Sequence, residues 1–191
     1  MKRRRKAFVV WIEETLIEML DHLKFIDESG AHLGLTRLCG RAVPGVRVVE
    51  ATPGFSGPHY TLVAALSLQG IQAPLMFEGA MNTTTFETYV EQVLSPTLCA
   101  GDIVLADNLT AHKSDAARVA IEARGAHLEF LPPYSPDLNP IEKCWAKVKQ
   151  ALRTAKARTW DDLLFAVRDA LLAVTPHDAA AWFAHCGYQS A

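Results

Sequence analysis

At 191 residues, half of them hydrophobic and with a formal charge of −2, the chain is long enough for one sizeable buried core and short for two domains. The near-neutral balance contrasts with the strongly basic one of a self-sufficient DNA-binding module, so nucleic-acid affinity has to come from local patches. No apolar run approaches the roughly 18–20 residues that span a bilayer; Phe8–Ile12 soon meets Glu13 and Glu14, and no small-residue cleavage site makes the basic start a signal peptide. A cytoplasmic setting is expected. It agrees with four scattered cysteines, Cys39, Cys99, Cys144 and Cys186, none at the close spacing of a structural zinc site, which read as free or buried thiols.

The chain begins with a basic and amphipathic segment over 1–21, in which Phe8 to Leu23 resembles one helix. From His22 to Glu28 a short apolar run stops at Ser29-Gly30, which predicts a strand ending in a turn, with Asp27 near its C-terminal end. Between Thr36 and Gly57 repeated Gly and Pro punctuate β-prone pieces such as Val46–Val49, the pattern of a hairpin and loop region. His59–Leu68 reads as a largely buried strand, and Gly70 turns the chain into a second strand near Pro74–Phe77. After Asn82 the positions Phe86, Tyr89, Val90, Val93 and Leu94 recur at helical spacing, with Thr84 and Glu87 offering a capping box.

Ile103–Ala106 predicts a short central strand, with Asp107 at its exit. Lys113–Arg124 predicts a helix closed by Gly125, and His127–Leu131 a further strand stopped by Pro132-Pro133; this β-α-β order favours parallel pairing. Pro140 suits the first turn of the next helix, with Asn139 as its cap and Asp137 in the preceding turn. Ile141, Cys144, Trp145, Val148 and Leu152 form its apolar stripe, so Trp145 reads as core, and Glu142 borders the buried face about 100° around from Ile141. A last helix, capped by Thr159 with Asp162, turns Trp160, Leu163, Leu164, Val167 and Leu171 inward, and 176–191 reads as a tail.

Asp27, Asp107 and Glu142 draw attention as a set, the last two separated by 34 residues (142 − 107 − 1). Hard carboxylate oxygens are the ligands that two divalent ions need for phosphodiester chemistry, and aspartates on a rigid sheet with a longer-armed glutamate on a helix can share such a site. Glu28 is set aside, because neighbouring strand residues point to opposite faces.

The words around these acids narrow the reading. Asp107-Asn108-Leu109-Thr110-Ala111-His112-Lys113, the run from Leu131-Pro132-Pro133-Tyr134 through Pro136-Asp137-Leu138-Asn139-Pro140-Ile141-Glu142 to Trp145, and Phe25-Ile26-Asp27-Glu28-Ser29-Gly30 closely resemble the three catalytic motifs of DDE transposases, in particular the mariner-related bacterial insertion-sequence group. The resemblance covers about Lys24 to Leu172. It implies an α/β fold, a ribonuclease-H-like mixed sheet flanked by helices, over a catalytic domain at 22–175. It further implies catalytic and metal-binding roles for Asp27, Asp107 and Glu142, and Mg²⁺ or Mn²⁺ as cofactor, two ions being expected. The implied activity is cleavage of transposon ends and strand transfer into target DNA by an insertion-sequence transposase, working as a homodimer, with no membrane partner, in the bacterial cytoplasm at the nucleoid. Another ribonuclease-H-like nuclease, or an inactive truncated copy acting as a binding partner, are the alternatives.

Candidate DNA contacts are His112 and Lys113, which either meet a phosphate or serve the helix start; Tyr134, which either stacks on DNA or packs the proline loop; and Lys143, Lys147 and Lys149, which either meet the backbone or form a solvated helix surface. The family's usual helix-turn-helix modules have no room in the 26 residues before Asp27. The chain is therefore expected to be a catalytic half, to which a partner polypeptide supplies end recognition.

Overall fold

The computed structural model describes residues 2–14, 16–54 and 57–189. β1 (Leu23–His32), β2 (His59–Ser67) and β3 (Gly70–Glu78) pair antiparallel, β2 and β3 as the expected hairpin, with Gly70 supplying the left-handed φ of +106° that its turn demands. β4 (Ile103–Ala106) joins β1 in parallel and β5 (His127–Phe130) joins β4 in parallel, giving the order β3-β2-β1-β4-β5. Parallel neighbours need a crossover, and α3 (Asp115–Glu122), capped by Ser114, carries the one from β4 to β5. This is the mixed sheet that the sequence led us to expect.

Alternation along β1 sorts the two cores. Leu23, Phe25 and Ala31 point to one face with Leu62, Leu66, Ile103 and Leu105, beneath α1 (Lys2–Glu14), α4 (Ile141–Ala155), α5 (Trp160–Leu172) and α6 (Pro176–His185). Ile26 points to the other face with Val63, Ala65, Val104, Ala106 and Leu128, beneath α3 and α2 (Thr83–Tyr89). Each fully buried Leu, Ile or Phe contributes roughly 1.5–3 kcal/mol, so both layers hold the sheet against its helices. Among the described residues no helix is long and apolar enough to cross a membrane, and all four cysteines are free thiols, Cys144 and Cys186 buried.

Several local expectations need correction. β1 continues past Ser29-Gly30 to His32, because β2 offers eight pairing partners from His59 to Leu66 and sheet pairing overrides the local turn signal. Asp27 is thus mid-strand. Residues 36–54 form an open loop without a strand, and Phe55 and Ser56 of that expected hairpin lie outside the described residues. The N-terminal segment is a helix followed by a 3-10 turn, Leu16–His22, rather than one helix; Thr15 between them lies outside the description.

Asn82, not Thr84, caps α2 by accepting from the Thr85 N–H at 3.0 Å, and Glu87 accepts instead from the Ser114 hydroxyl. The helix expected from Lys113 starts only at Asp115, after a 3-10 turn over Thr110–His112. On α5 the buried residues are Leu163, Val167 and Ala170, while Trp160 and Leu164 reach solvent. The expected tail contains α6, opened by a Thr175–Asp178 capping box, with Ala179 and Phe183 facing the core and Trp182 packed beside them. Phe183 and Tyr188 pack edge-on against Phe25 at 5.2 and 4.9 Å between ring centres; Ser190 and Ala191 lie outside the description.

Candidate active site

Parallel pairing between β1 and β4 ends at Ile26 and Ala106, so the next residues, Asp27 and Asp107, stand where the two strands part. A crevice beyond the carboxyl end of a parallel pair is where α/β sheets commonly bind ligands. By alternation Asp27 shares the face of Phe25, which α4 covers, and Glu142 lies in the first turn of α4. A carboxylate there is favoured by the helix dipole. Asp27, Asp107 and Glu142, drawn from three elements distant in sequence, line one open cavity of about 510 Å³.

Burial is the main reason that the Asp27 carboxyl is pushed up to about 7, with the charges of Glu142, Glu28 and Asp107 adding to it and the Glu28 N–H, 2.8 Å from Oδ1, opposing. Among the described residues no three His, Cys, Asp or Glu side chains gather tightly enough, as they stand, to enclose a metal ion.

Asp107 is held from behind. Its Oδ1 accepts from the Leu109 N–H at 3.0 Å and lies 2.6 Å from His112 Nδ1, a contact too far off the N–H direction to be an aligned hydrogen bond. Nε2 of the same ring lies 2.8 Å from Glu28 Oε1, and Phe86 packs against the ring at 4.5 Å. Burial alone would discharge His112, but Asp107 and Glu28 on its two nitrogens outweigh it and raise its pKa to about 10. Glu28 thus stands on the other face of β1 from Asp27 and reaches the site through His112. Sequence alternation excluded it from the cavity correctly and gave no sign of this link.

The expected DNA contacts divide. His112 is 1% exposed, which rules out direct contact with DNA and corrects that expectation. The Lys147 ammonium binds Asp178 at 2.6 Å and the Ala173 carbonyl at 2.9 Å, tying α4 to α6. Lys113 and Tyr134 line the cavity, and Tyr134 is 88% exposed at a φ of +56°, so it does not pack the proline loop. Lys143 and Lys149 lie outside the cavity, the former exposed and the latter half-buried.

Neither Arg4 nor Asn139 was read from the sequence as part of the cavity lining. Arg4 arrives because Arg5 binds Ser135 Oγ at 3.0 Å and Asp137 Oδ1 at 2.9 Å, pinning α1 to the loop before α4. Asp137 therefore serves that ion pair and not only its own turn. Asn139 does not cap α4 with its side chain: Pro140 occupies the cap position, and the Asn139 backbone carbonyl accepts from Glu142 N at 3.2 Å. Its amide is 3% exposed, with Oδ1 buried and unpartnered beside the cavity. A buried amide lacking a partner costs on the order of 1–3 kcal/mol, a signal only the structure carries.

No curated protein matches this chain in sequence. Among solved structures, the Mos1 transposase paired-end complex with left transposon end is similar at a TM-score of 0.74 and 17% identity, over 97% of this chain and 57% of that one. The Mos1 mariner paired end complex with Mn gives 0.67 and 15%, over 97% and 60%. The catalytic domain of Mos1 mariner transposase gives 0.68 and 14%, over 96% and 88%. This chain therefore spans less than two thirds of the transposase chain in those paired-end complexes. The shared architecture is the ribonuclease-H-like fold. A family model described as DDE superfamily endonuclease matches residues 22–164, from the first residue before β1 to the second turn of α5, and the chain belongs to that family.

Proposed function

We propose that this chain is the catalytic portion of a DNA transposase that cuts the ends of an insertion sequence and joins them to target DNA. The observation that carries the reading is the cavity shared by Asp27, Asp107 and Glu142 where β1 and β4 part. Family membership supports endonuclease chemistry, and the similar structures that hold transposon ends support DNA as the substrate.

The lining suits a hard divalent cation. All three candidate ligands are oxygen donors, and among the described residues no cysteine or histidine lines the cavity. Asp27, Asp107 and Glu142 would hold Mg²⁺ or Mn²⁺, two ions being proposed. Bound there, the cations supply Lewis-acid activation of the attacking oxygen and neutralise charge on the phosphoryl group.

This chain's own residues supply the rest. Asp27 keeps Oδ1 on the Glu28 N–H, so its carboxylate is oriented by the strand it sits on. Asp107 is fixed by Leu109 N and His112, which removes rotamer freedom from a residue just outside the sheet. Arg4 and Lys113 place positive charge on the cavity wall, where a phosphodiester would lie, and Tyr134 offers an exposed ring to a base. The proposal includes a second copy of the chain in the active complex and a helix-turn-helix polypeptide for end recognition.

The test is cleavage and strand transfer on labelled duplexes carrying the inverted repeats of the element, with Mg²⁺ or Mn²⁺ and the recognition polypeptide. Activity is expected for the native chain and its loss for Asp107→Asn and Glu142→Gln. Activity undiminished in those variants would sink the assignment.

A further inference from the structure

Successive helical residues advance about 100°, so on α4 the residues Ala146, Lys149 and Arg153 lie within about 40° of Glu142. All four reach solvent at least in part. At the Arg153 end, about 16 Å along the axis from Glu142, a second cleft of about 400 Å³ opens between α4 and the chain leaving β1. Arg37, Gln150 and Arg153 line it with Ala146 and Thr154, and no acidic residue does.

The cations around this helix fall into two groups. Lys147 is tied to Asp178, Lys156 to Glu50, and Arg158 to the carbonyls of Leu33 and Leu35 at 2.7 and 3.1 Å. Arg37, Lys149 and Arg153 have no ion-pair or side-chain hydrogen-bond partner among the described residues. A chain with a net charge of −2 thus keeps unpaired positive charge on the helix face that also carries the candidate catalytic glutamate. Lys143 stands about a quarter turn away from it.

We propose that this face is a binding track for the phosphodiester backbone of a DNA strand, running from Glu142 past Ala146 and Lys149 to a phosphate seat formed by Arg37 and Arg153. The small Ala146 side chain lets the strand approach the helix closely, and Arg37 and Arg153 close on a phosphate from the two sides of the cleft. A track of about 16 Å matches roughly five nucleotide steps at about 3.4 Å each. The occupant is DNA because an acid-free cleft with unpaired cations lies on the same helix face as Glu142, which lines the cavity of the proposed phosphoryl-transfer site. The inference rests on the reading of the chain as a DNA enzyme.

Its test needs no turnover. The full chain is titrated onto a labelled duplex of arbitrary sequence in EDTA, at salt concentrations from about 50 to 200 mM, and log K is plotted against log salt. Each phosphate contact contributes a slope of about −0.9, so Arg37→Gln and Arg153→Gln should each flatten the plot by about one and the double variant by about two. Lys147→Gln, which loses only a contact within the fold, should leave the slope unchanged. Both arginines lack protein partners, so thermal melts should show that the variants fold; Arg153→Glu provides a second variant, expected to weaken binding more than Arg153→Gln. An unaltered slope in the double variant, beside a native chain that binds, overturns the track alone. A native chain with no salt-dependent DNA binding overturns the track as well, whereas the enzyme reading stands or falls separately on the cleavage assay with metal and the recognition polypeptide.

Discussion

Nδ1 of His112 lies 2.6 Å from Oδ1 of Asp107, and the ring is pinned there by Glu28 on its opposite nitrogen. His112→Ala would leave two carboxylates facing a buried gap without their cation. Breaking such a pair costs about 3 kcal/mol, and His112→Gln should cost less because the amide still donates. With the pKa raised to about 10, the stabilisation is complete below the unfolded value near 6.5 and disappears as pH rises through 10. Urea unfolding at pH 6, 8 and 10 should therefore show the gap between native and His112→Ala closing towards pH 10. A gap that widened would contradict the charged ring.

Asp27 has the opposite consequence. Its folded pKa of about 7 exceeds the unfolded value near 3.9, so its ionisation weakens the fold as pH rises between these two values. In EDTA, Asp27→Asn should melt at the same temperature as the native chain near pH 4 and several degrees higher near pH 7.5. Added Mn²⁺ should raise the native melting temperature at pH 7.5 and leave that of Asp27→Asn nearly unchanged. Thermal melts across this pH range, with and without metal, test both statements.

Asp107→Asn and Glu142→Gln remove charge from the cavity without disturbing the two hydrophobic layers. Strand cleavage should fall about 10²–10³-fold or more. Affinity for DNA should hold or rise, since each substitution removes a negative charge facing the phosphates. Single-turnover rates and binding isotherms on the same variants separate these effects.

Phe183 is fully buried against Phe25, so Phe183→Ala should cost about 3–5 kcal/mol. Tyr188, just past α6, donates its hydroxyl to the Leu138 carbonyl at 2.9 Å, bracing the loop that leads to Glu142. Tyr188→Phe should cost about 1–3 kcal/mol by leaving that carbonyl unsatisfied. Denaturant titration measures both, and an unperturbed Phe183→Ala would mean that α6 is dispensable.

Legibility in the sequence followed the range of the forces involved. Strands β2, β4 and β5 and the stripe of α4 were readable because each is written in a local period of apolar residues. Asp27, Asp107 and Glu142 were singled out through the long motifs around them, and the structure brings the three to one cavity. The full extent of β1 was not, since its last residues pair with a strand that begins 27 positions later, at His59. Nor could Arg4 or the Glu28–His112 contact be read, because long-range packing of α1 and of the turn after β4 creates them. Asn139 was misread because a plausible local cap competed with burial beside the cavity.

Asp27 and Glu28 are adjacent acids on a strand, and a slip of one residue would turn each to the opposite face of the sheet. In one direction Glu28 would take the place of Asp27 and Asp27 that of Ile26; in the other Asp27 would take the place of Glu28 and Ile26 would face the cavity; either way every apolar residue of β1 would change sides. Eight antiparallel positions with β2 and four parallel ones with β4 hold the strand against that slip. Choosing the register is therefore the same event as choosing which side chain of β1 faces the cavity, so an error in strand alignment would yield a chain with Asp27 on the wrong side of its own sheet.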